Sequence, residues 1–174
     1  MEKKYFAASW SDGLKVMTVL ASLLLAGAAG YLLRLGFDWA SLTVRVPFLA
    51  GGAALLAVYM LCYGFAPQGY EIDETHLTIK RPLRGIKLPL ASITGAAAID
   101  RAQLKWSLRL CGVSGLFGFY GLYWKSGMGV YRLYAANCAN LVLVRTDRVY
   151  VLSPDDAAGF LETLRPRITR SISP

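Results

Sequence analysis

The sequence predicts a membrane-anchored α+β protein, in which a hairpin of two apolar helices precedes a curled antiparallel sheet of about seven strands and a C-terminal helix. Three observations lead to this prediction. Two uncharged apolar runs lie in the first part of the chain, alternating apolar and polar residues follow, and one amphipathic helical pattern closes it. The mean hydropathy of +0.42 is also too high for an ordinary small soluble domain.

The two apolar runs cover residues 16–33 and 46–66 and contain 18 and 21 residues. A helix needs roughly 20 apolar residues to cross about 30 Å of hydrocarbon, so both runs are predicted to be transmembrane helices. The short connector, residues 34–45, predicts an antiparallel hairpin with an external loop. A signal peptide remains an alternative for the first run, because the small residues 26–28 resemble a cleavage site. The run continues past that site and the second run follows almost at once, which favours a retained span.

Small residues occur in both predicted spans at similar depth when the chain is folded as a hairpin. Such residues allow helix backbones to approach closely. The alternative interpretation is that alanine and glycine are simply common in membrane helices. The candidates for helix packing are Ala26, Gly30, Ala50 and Ala54.

The charge distribution predicts the orientation of these spans. The chain carries a formal net charge of +8, and a group of basic residues follows the second span closely. Because Lys and Arg concentrate on the cytoplasmic side, residues 1–15 and the domain at 67–168, with its tail at 169–174, are predicted to be cytoplasmic. The same bias accounts for most of the basic excess, so nucleic-acid binding is not predicted.

From residue 70 onward, apolar and polar residues alternate with the period of two that is typical of half-buried strands. These segments recur up to residue 153 without helical patterns between them, which predicts an antiparallel sheet. The final helix is predicted to have Ser153 as its N-cap and Pro154 in its first turn, and to end at Pro166. Its apolar stripe is predicted to consist of Ala157, Phe160, Leu161 and Leu164.

Residues 112–129 contain six glycines among aromatic residues. A third span is disfavoured, because the 15 uncharged residues between Arg109 and Lys125 would form a helix of only about 22 Å. The glycines also lack the spacing of a phosphate-binding loop. We therefore predict a long apolar loop between strands. Its aromatic side chains cannot all be buried in a domain of about 100 residues, so part of them is expected on the bilayer surface.

The chain resembles the bacterial pleckstrin-homology-like domains, particularly their membrane-anchored members. The resemblance rests on "YEIDETHLTIKR", "IKLPLASI", "RLCGVSGLFGFYG", "LVLV" and "VYVLSPDDAAGFLETL", and it covers residues 70–164. It implies a PH-like, strongly bent sheet of seven strands capped by a C-terminal helix, with two helices in front. It also implies a protein of the bacterial inner (cytoplasmic) membrane. The family largely lacks an assigned biochemical activity.

The segment "KRPLRGIK" is the best candidate for a binding site, because its basic residues bracket a turn just after a predicted span. Near an anionic leaflet each such charge contributes about 1 kcal/mol. The alternative is that these charges only follow the positive-inside rule on a solvated turn. PH domains that bind phosphoinositides use basic residues around their first hairpin, whereas "DETH" is acidic here, which argues against a dedicated phosphoinositide pocket. The candidates for binding an anionic lipid or a partner are Lys80, Arg81, Arg84 and Lys87.

No catalytic residue, metal site or cofactor is predicted. His76 is the single histidine, and it lies in a predicted polar turn where a solvated side chain is expected. Neither span contains an ionisable residue that could relay ions or protons. Arg165, Arg167 and Arg170 are interpreted as a solvated terminus or as a second basic patch.

The predicted function is that of a non-catalytic integral membrane protein. Its cytoplasmic PH-like module is expected to bind anionic lipids, a protein partner or another copy of the chain. The alternative is an accessory subunit of a membrane enzyme or transporter complex. Neither a nucleic acid nor a small-molecule substrate is expected as a ligand.

Overall fold

The computed structural model of the protein describes residues 3–38 and 41–172, with side chains up to residue 168. The predicted connector at 34–45 and the predicted tail at 169–174 therefore lie partly outside the described residues. The side chain of Arg170 also lies outside them.

Two long helices, α1 (Asp12–Asp38) and α2 (Leu42–Phe65), form an antiparallel pair of 27 and 24 residues. Both are longer than the apolar runs, because polar residues continue each helix; Ser11, for example, accepts the Leu14 N–H at the start of α1. Both are long and apolar enough to cross a membrane. In the most apolar 18-residue segment of each helix, only 11% and 6% of the residues are buried, so the rest of the protein does not cover the helices.

The contact between α1 and α2 uses small residues, but not the predicted ones. Ala29, Gly36 and Gly52 are buried where the helices meet. A Cβ atom at Gly52 would lie 2.7 Å from the Leu33 side chain, so glycine is required for this approach. The four residues that were predicted to pack are exposed instead: Ala26, Gly30, Ala50 and Ala54.

The N-terminal segment forms a strand that the sequence does not predict. Strand β1 (Lys4–Ala7) precedes α1, yet it pairs antiparallel with β2 (Gly69–Ile72), which follows α2. The sheet continues through β3 (His76–Lys80) and β4 (Ile86–Pro89) in the order β1-β2-β3-β4. The chain therefore leaves this sheet after β1, forms the two helices and returns to the same sheet at β2.

A second sheet has six strands: β5 (Gly95–Ile99), β6 (Leu108–Ser114), β7 (Phe119–Lys125), β8 (Gly129–Ala135), β9 (Leu141–Arg145) and β10 (Val149–Leu152). Their order in the sheet is β5-β9-β10-β8-β7-β6. The described residues thus contain ten strands in two sheets, more than the seven expected.

The expectation of a purely antiparallel sheet was wrong at one pair, since β10 runs parallel to β8. In the β9–β10 hairpin, it is β10 and not β9 that lies next to β8. Ser153 joins the ends of the parallel strands, because its hydroxyl accepts the Ala136 N–H at 2.9 Å. Ser153 is therefore a buried bridge between strands and not the predicted N-cap.

The expectation of a long loop at 112–129 was also wrong, since most of this stretch forms the β6–β7 hairpin. Gly112 pairs directly with Gly121, and both have positive φ angles, of 135° and 141°. A Cβ atom on either glycine would collide with the backbone of the opposite strand. These glycines allow two strands to approach closely, which is why a segment poor in β-formers is a hairpin.

The C-terminal helix α3 (Ala157–Ile172) begins later and ends later than predicted. The Asp156 carboxylate accepts the Gly159 N–H at 2.9 Å and caps the first turn. Pro166 lies inside the helix, which continues far enough to bury Ile168. The predicted stripe packs into the main core with residues of both sheets. Buried members of this core include Phe6, Tyr70, Leu77, Ile79, Leu152, Phe160 and Leu164.

The predicted fold class is confirmed at this level: two N-terminal helices, a β-sheet region and a C-terminal helix form a PH-like α+β chain.

Candidate functional site

The turn between β3 and β4, residues 81–85, is held against the last turn of α2. The Leu83 N–H donates to the Gly64 carbonyl at 3.0 Å. The Leu83 side chain lies over Gly64, where a Cβ atom would collide with it. Proline and glycine at the turn favour this compact shape. The basic residues of the turn are therefore fixed next to the end of α2.

Arg81 is held by two aromatic rings and one hydrogen bond. Its guanidinium lies 5.4 Å from the ring centroid of Phe65 and 5.7 Å from that of Tyr134. Its Nε donates to the Arg84 carbonyl at 2.7 Å. Burial lowers the pKa of Arg81, but the ordinary pKa of arginine lies so far above neutral pH that the side chain stays charged.

A concavity of about 1030 Å³ opens between the β3–β4 turn and strand β8. We call it the basic cleft. None of the described residues that line it is acidic, so its potential is positive. Its basic residues are Lys80, Arg81, Arg84, Lys87 and Arg132.

The charge of Lys80 is largely compensated within the protein. Its Nζ lies 2.9 Å from a carboxylate oxygen of Glu71, and Lys3 approaches the same carboxylate at 3.6 Å. The hydrogen bond from Lys80 lowers the pKa of Glu71, which is therefore ionised at pH 7. Among the described residues, Arg81, Arg84, Lys87 and Arg132 lie within ion-pair distance of no carboxylate, so these four carry the uncompensated charge of the basic cleft.

The structure brings the four predicted basic residues together and adds Arg132, which the sequence does not predict. Arg132 lies on β8, with its guanidinium 5.9 Å from the Tyr150 ring centroid. It is separated from the β3–β4 turn by more than forty residues of sequence. Only the juxtaposition of the two sheets places it beside the turn, and no local pattern indicates that.

Other sequence candidates have structural partners instead. Arg167 donates to the carbonyls of Ile72 and Asp73 at 3.3 and 2.8 Å, so it supports the β2–β3 turn and is neither a free terminus nor part of a basic patch. The Nδ1 of His76 lies 2.8 Å from the Thr75 hydroxyl. In the described ranges, no group of three or more His, Cys, Asp or Glu residues could hold a metal ion.

The glycine-rich hairpin contacts the helices through its tip. Phe117 is buried against the rings of Tyr59 and Tyr63, at centroid distances of 5.1 and 5.3 Å. Thr18 of α1 accepts the Phe117 N–H at 3.1 Å. The Tyr120 hydroxyl donates to the Cys62 carbonyl of α2. These contacts fix the six-stranded sheet to the same end of the helix pair that holds the basic cleft.

Comparison with known proteins adds one match. The sequence model of the family described as "Bacterial PH domain" matches residues 68–168, which is more than half of the chain. No curated protein matches the chain at a significant level.

Proposed function

The chain belongs to the bacterial PH domain family, and from this premise we propose that it is a non-catalytic, membrane-anchored module whose basic cleft binds the anionic headgroups of phospholipids in the cytoplasmic leaflet. Domains of this kind are generally binding modules without catalysis. The observation that carries the proposal is the position of the basic cleft, directly beside the last turn of α2.

The anchor is supported by the two exposed apolar helices and by β1. Because β1 and β2 pair across the helix hairpin, the segments before α1 and after α2 must lie on the same side of a membrane that the helices cross. Removal of residues 1–28 as a signal peptide would delete β1 and the buried Phe6. Both points favour two retained spans.

The leaflet position of the cleft follows from the end of α2. A helix of 24 residues is about 36 Å long, so its last turn lies at the headgroup level when the helix spans the hydrocarbon. Gly64 and Phe65 form that turn and contact Leu83 and Arg81. The exposed Leu83 between two arginines has the chemistry of a residue at the lipid interface.

Charge then selects anionic headgroups. Each of Arg84, Lys87 and Arg132 contributes about 1 kcal/mol near an anionic surface, so the three together contribute about 3 kcal/mol, or roughly a hundredfold in affinity. Arg81 adds a charged donor that the rings of Phe65 and Tyr134 hold in place. Lys80 contributes less, because its ammonium group pairs with the Glu71 carboxylate.

The test uses the full chain, since a fragment that begins at residue 68 lacks β1. The purified protein in zwitterionic micelles is titrated with dioctanoyl phosphatidylglycerol or dioctanoyl phosphatidylcholine, and its Tm is followed. A lipid that binds the folded state raises Tm with concentration. We expect phosphatidylglycerol, but not phosphatidylcholine, to raise Tm. Added salt is expected to weaken this effect.

The triple variant Arg84→Gln, Lys87→Gln, Arg132→Gln is expected to need roughly a hundredfold more phosphatidylglycerol for the same shift. Arg145→Gln is the matched control, because Arg145 is exposed and lies on the opposite face of the six-stranded sheet. Equal shifts with both lipids, or a triple variant that responds like the unaltered protein, would contradict lipid binding and favour docking of a protein partner.

A further inference from the structure

The six-stranded sheet exposes a row of apolar side chains beyond the basic cleft. Leu108 pairs with Trp124, and Trp124 pairs with Val130, so the three residues form one row across β6, β7 and β8. Their exposed fractions are 60%, 44% and 50%. Exposed apolar side chains that adjoin in this way are typical of surfaces that contact a membrane or another protein.

This row lies on the face of the sheet that the helix pair contacts. Side chains two residues apart on a strand point to the same face, so Trp124 shares its face with Tyr120, whose hydroxyl bonds to the Cys62 carbonyl of α2. On β8, Val130 likewise shares its face with Arg132 and Tyr134. The face therefore runs from the end of α2, past the basic cleft, to the apolar row.

The distances along the strand suit a surface that continues from the helices. Trp124 lies four residues beyond Tyr120, which is about 14 Å along the strand. Between them, Leu122 pairs with Arg132, so a basic residue lies between the helix contact and the apolar row. No acidic residue occupies a strand position on this face of β6, β7 or β8 within the described residues.

We propose that the row formed by Leu108, Trp124 and Val130 is a second membrane-contact surface, which lies in the headgroup region of an anionic phospholipid leaflet with Trp124 as its anchor. The inference rests on the proposed function, because it requires that α1 and α2 span the bilayer. Tryptophan prefers this region, since its ring is apolar and its N–H is polar. Arg132 supplies the matching charge for lipid phosphates. The sheet face, and not only the turn, thus lies along the membrane.

The test is fluorescence quenching of the full chain in phosphatidylcholine vesicles that contain phosphatidylglycerol. Trp124 is kept as the single tryptophan by the substitutions Trp10→Phe, Trp39→Phe and Trp106→Phe. Phospholipids brominated in the upper acyl chain are expected to quench its emission by half or more. Aqueous acrylamide is expected to quench it less than it quenches a tryptophan in water.

The matched control is the protein in which Trp124 is also replaced by Phe and Arg145→Trp supplies the single tryptophan. This reporter lies on the opposite face of the same sheet, so bromolipid should leave it unquenched and acrylamide should reach it fully. If Trp124 behaves like this control while phosphatidylglycerol still raises Tm, the surface is overturned and lipid binding by the basic cleft stands. If both signals are missing, the proposed function fails with it.

Discussion

The ring of Phe6 meets the ring of Phe160 edge-on, with centroids 5.2 Å apart and planes at 75°. The contact joins the strand before the first helix to the last helix of the chain. It makes the N-terminal segment part of the domain core, although two long helices separate that segment from the rest of the domain.

Phe6→Ala is therefore expected to lower the free energy of unfolding by about 3–5 kcal/mol, as for other buried phenylalanines. Denaturant unfolding in micelles measures it. Tyr5→Phe is the control on the same strand, because it removes only an exposed hydrogen bond to the Gln68 carbonyl. A Phe6→Ala variant as stable as Tyr5→Phe would show that β1 does not belong to the core.

Tyr70 bridges the two sheets, and we expect Tyr70→Phe to cost about 1–3 kcal/mol. Its hydroxyl donates to the Tyr134 carbonyl at 2.6 Å and accepts the buried Ser153 N–H at 2.9 Å, so the variant removes both hydrogen bonds to the other sheet. Thermal unfolding at neutral pH checks this prediction. A change below about 0.5 kcal/mol, the usual range for surface substitutions, would contradict it.

Tyr70 is also expected to make the folded protein less stable at alkaline pH. Burial raises the pKa of Tyr70 to about 12, whereas in the unfolded chain it is about 10. Between these values the unfolded state loses a proton that the folded state keeps, so stability falls as pH rises from about 10 to about 12. In Tyr70→Phe this part of the loss should be absent. An identical pH dependence in both proteins would rule out Tyr70 as its source.

Asp73 is expected to make stability depend on pH in the opposite direction, with a loss of stability at acidic pH. The N–H groups of Thr75 and His76 donate to its carboxylate at 2.7 and 2.6 Å and lower the pKa of Asp73 below its ordinary value. Its contribution is therefore complete above about pH 4 and is lost as pH falls through the lowered pKa. Asp73→Ala should flatten this acid limb of a stability-against-pH curve. Glu74→Ala, at an exposed neighbour, should leave the limb unchanged.

The paired glycines predict a strong steric effect. Gly121→Ala is expected to destabilise by more than about 2 kcal/mol, because the methyl group meets the opposite strand as well as an unfavourable φ. Gly127→Ala is the matched control: Gly127 also has a positive φ, 81°, but no atom lies within 4 Å of a Cβ there. It should lose only about 1–2 kcal/mol. Equal losses in denaturant unfolding would mean that the strands do not approach so closely.

Because Glu71 pairs with Lys80, we expect Lys80 and Lys87 to contribute unequally to lipid binding by the basic cleft. Lys87→Gln should weaken the Tm response to phosphatidylglycerol about fivefold, which corresponds to about 1 kcal/mol. Lys80→Gln should change it less, because that charge already pairs with Glu71. The micelle titration compares the two variants directly. A larger effect at Lys80 would contradict this assignment of the charges.

The sequence was sufficient for the two helices, the β-rich domain and the final helix, since apolar length and period-two alternation report on burial directly. It was insufficient for β1, because a segment of four residues is too short to show a clear period. It was also insufficient for the parallel β8–β10 pair, which depends on which strand of a hairpin lies beside β8. The Gly112–Gly121 pair was missed because glycine is usually unfavourable in strands.

The basic cleft shows the same limit. Lys80, Arg81, Arg84 and Lys87 are close in sequence, so one turn brings them together. Arg132 joins them only through packing of the two sheets. Glu71 reduces the charge of Lys80 by pairing across β2 and β3, a relationship that depends on strand register.

The proposed function requires that the chain crosses the membrane twice, with its N-terminal strand and its domain on the cytoplasmic side. Its most direct test is labelling by a membrane-impermeant maleimide in bacterial spheroplasts. Each protein lacks the native cysteines and carries Lys3→Cys, Ser41→Cys or Arg145→Cys. We expect Ser41→Cys to react in intact spheroplasts and the other two to react only after lysis. Labelling of Lys3→Cys or Arg145→Cys from outside, or protection of Ser41→Cys, would contradict the account.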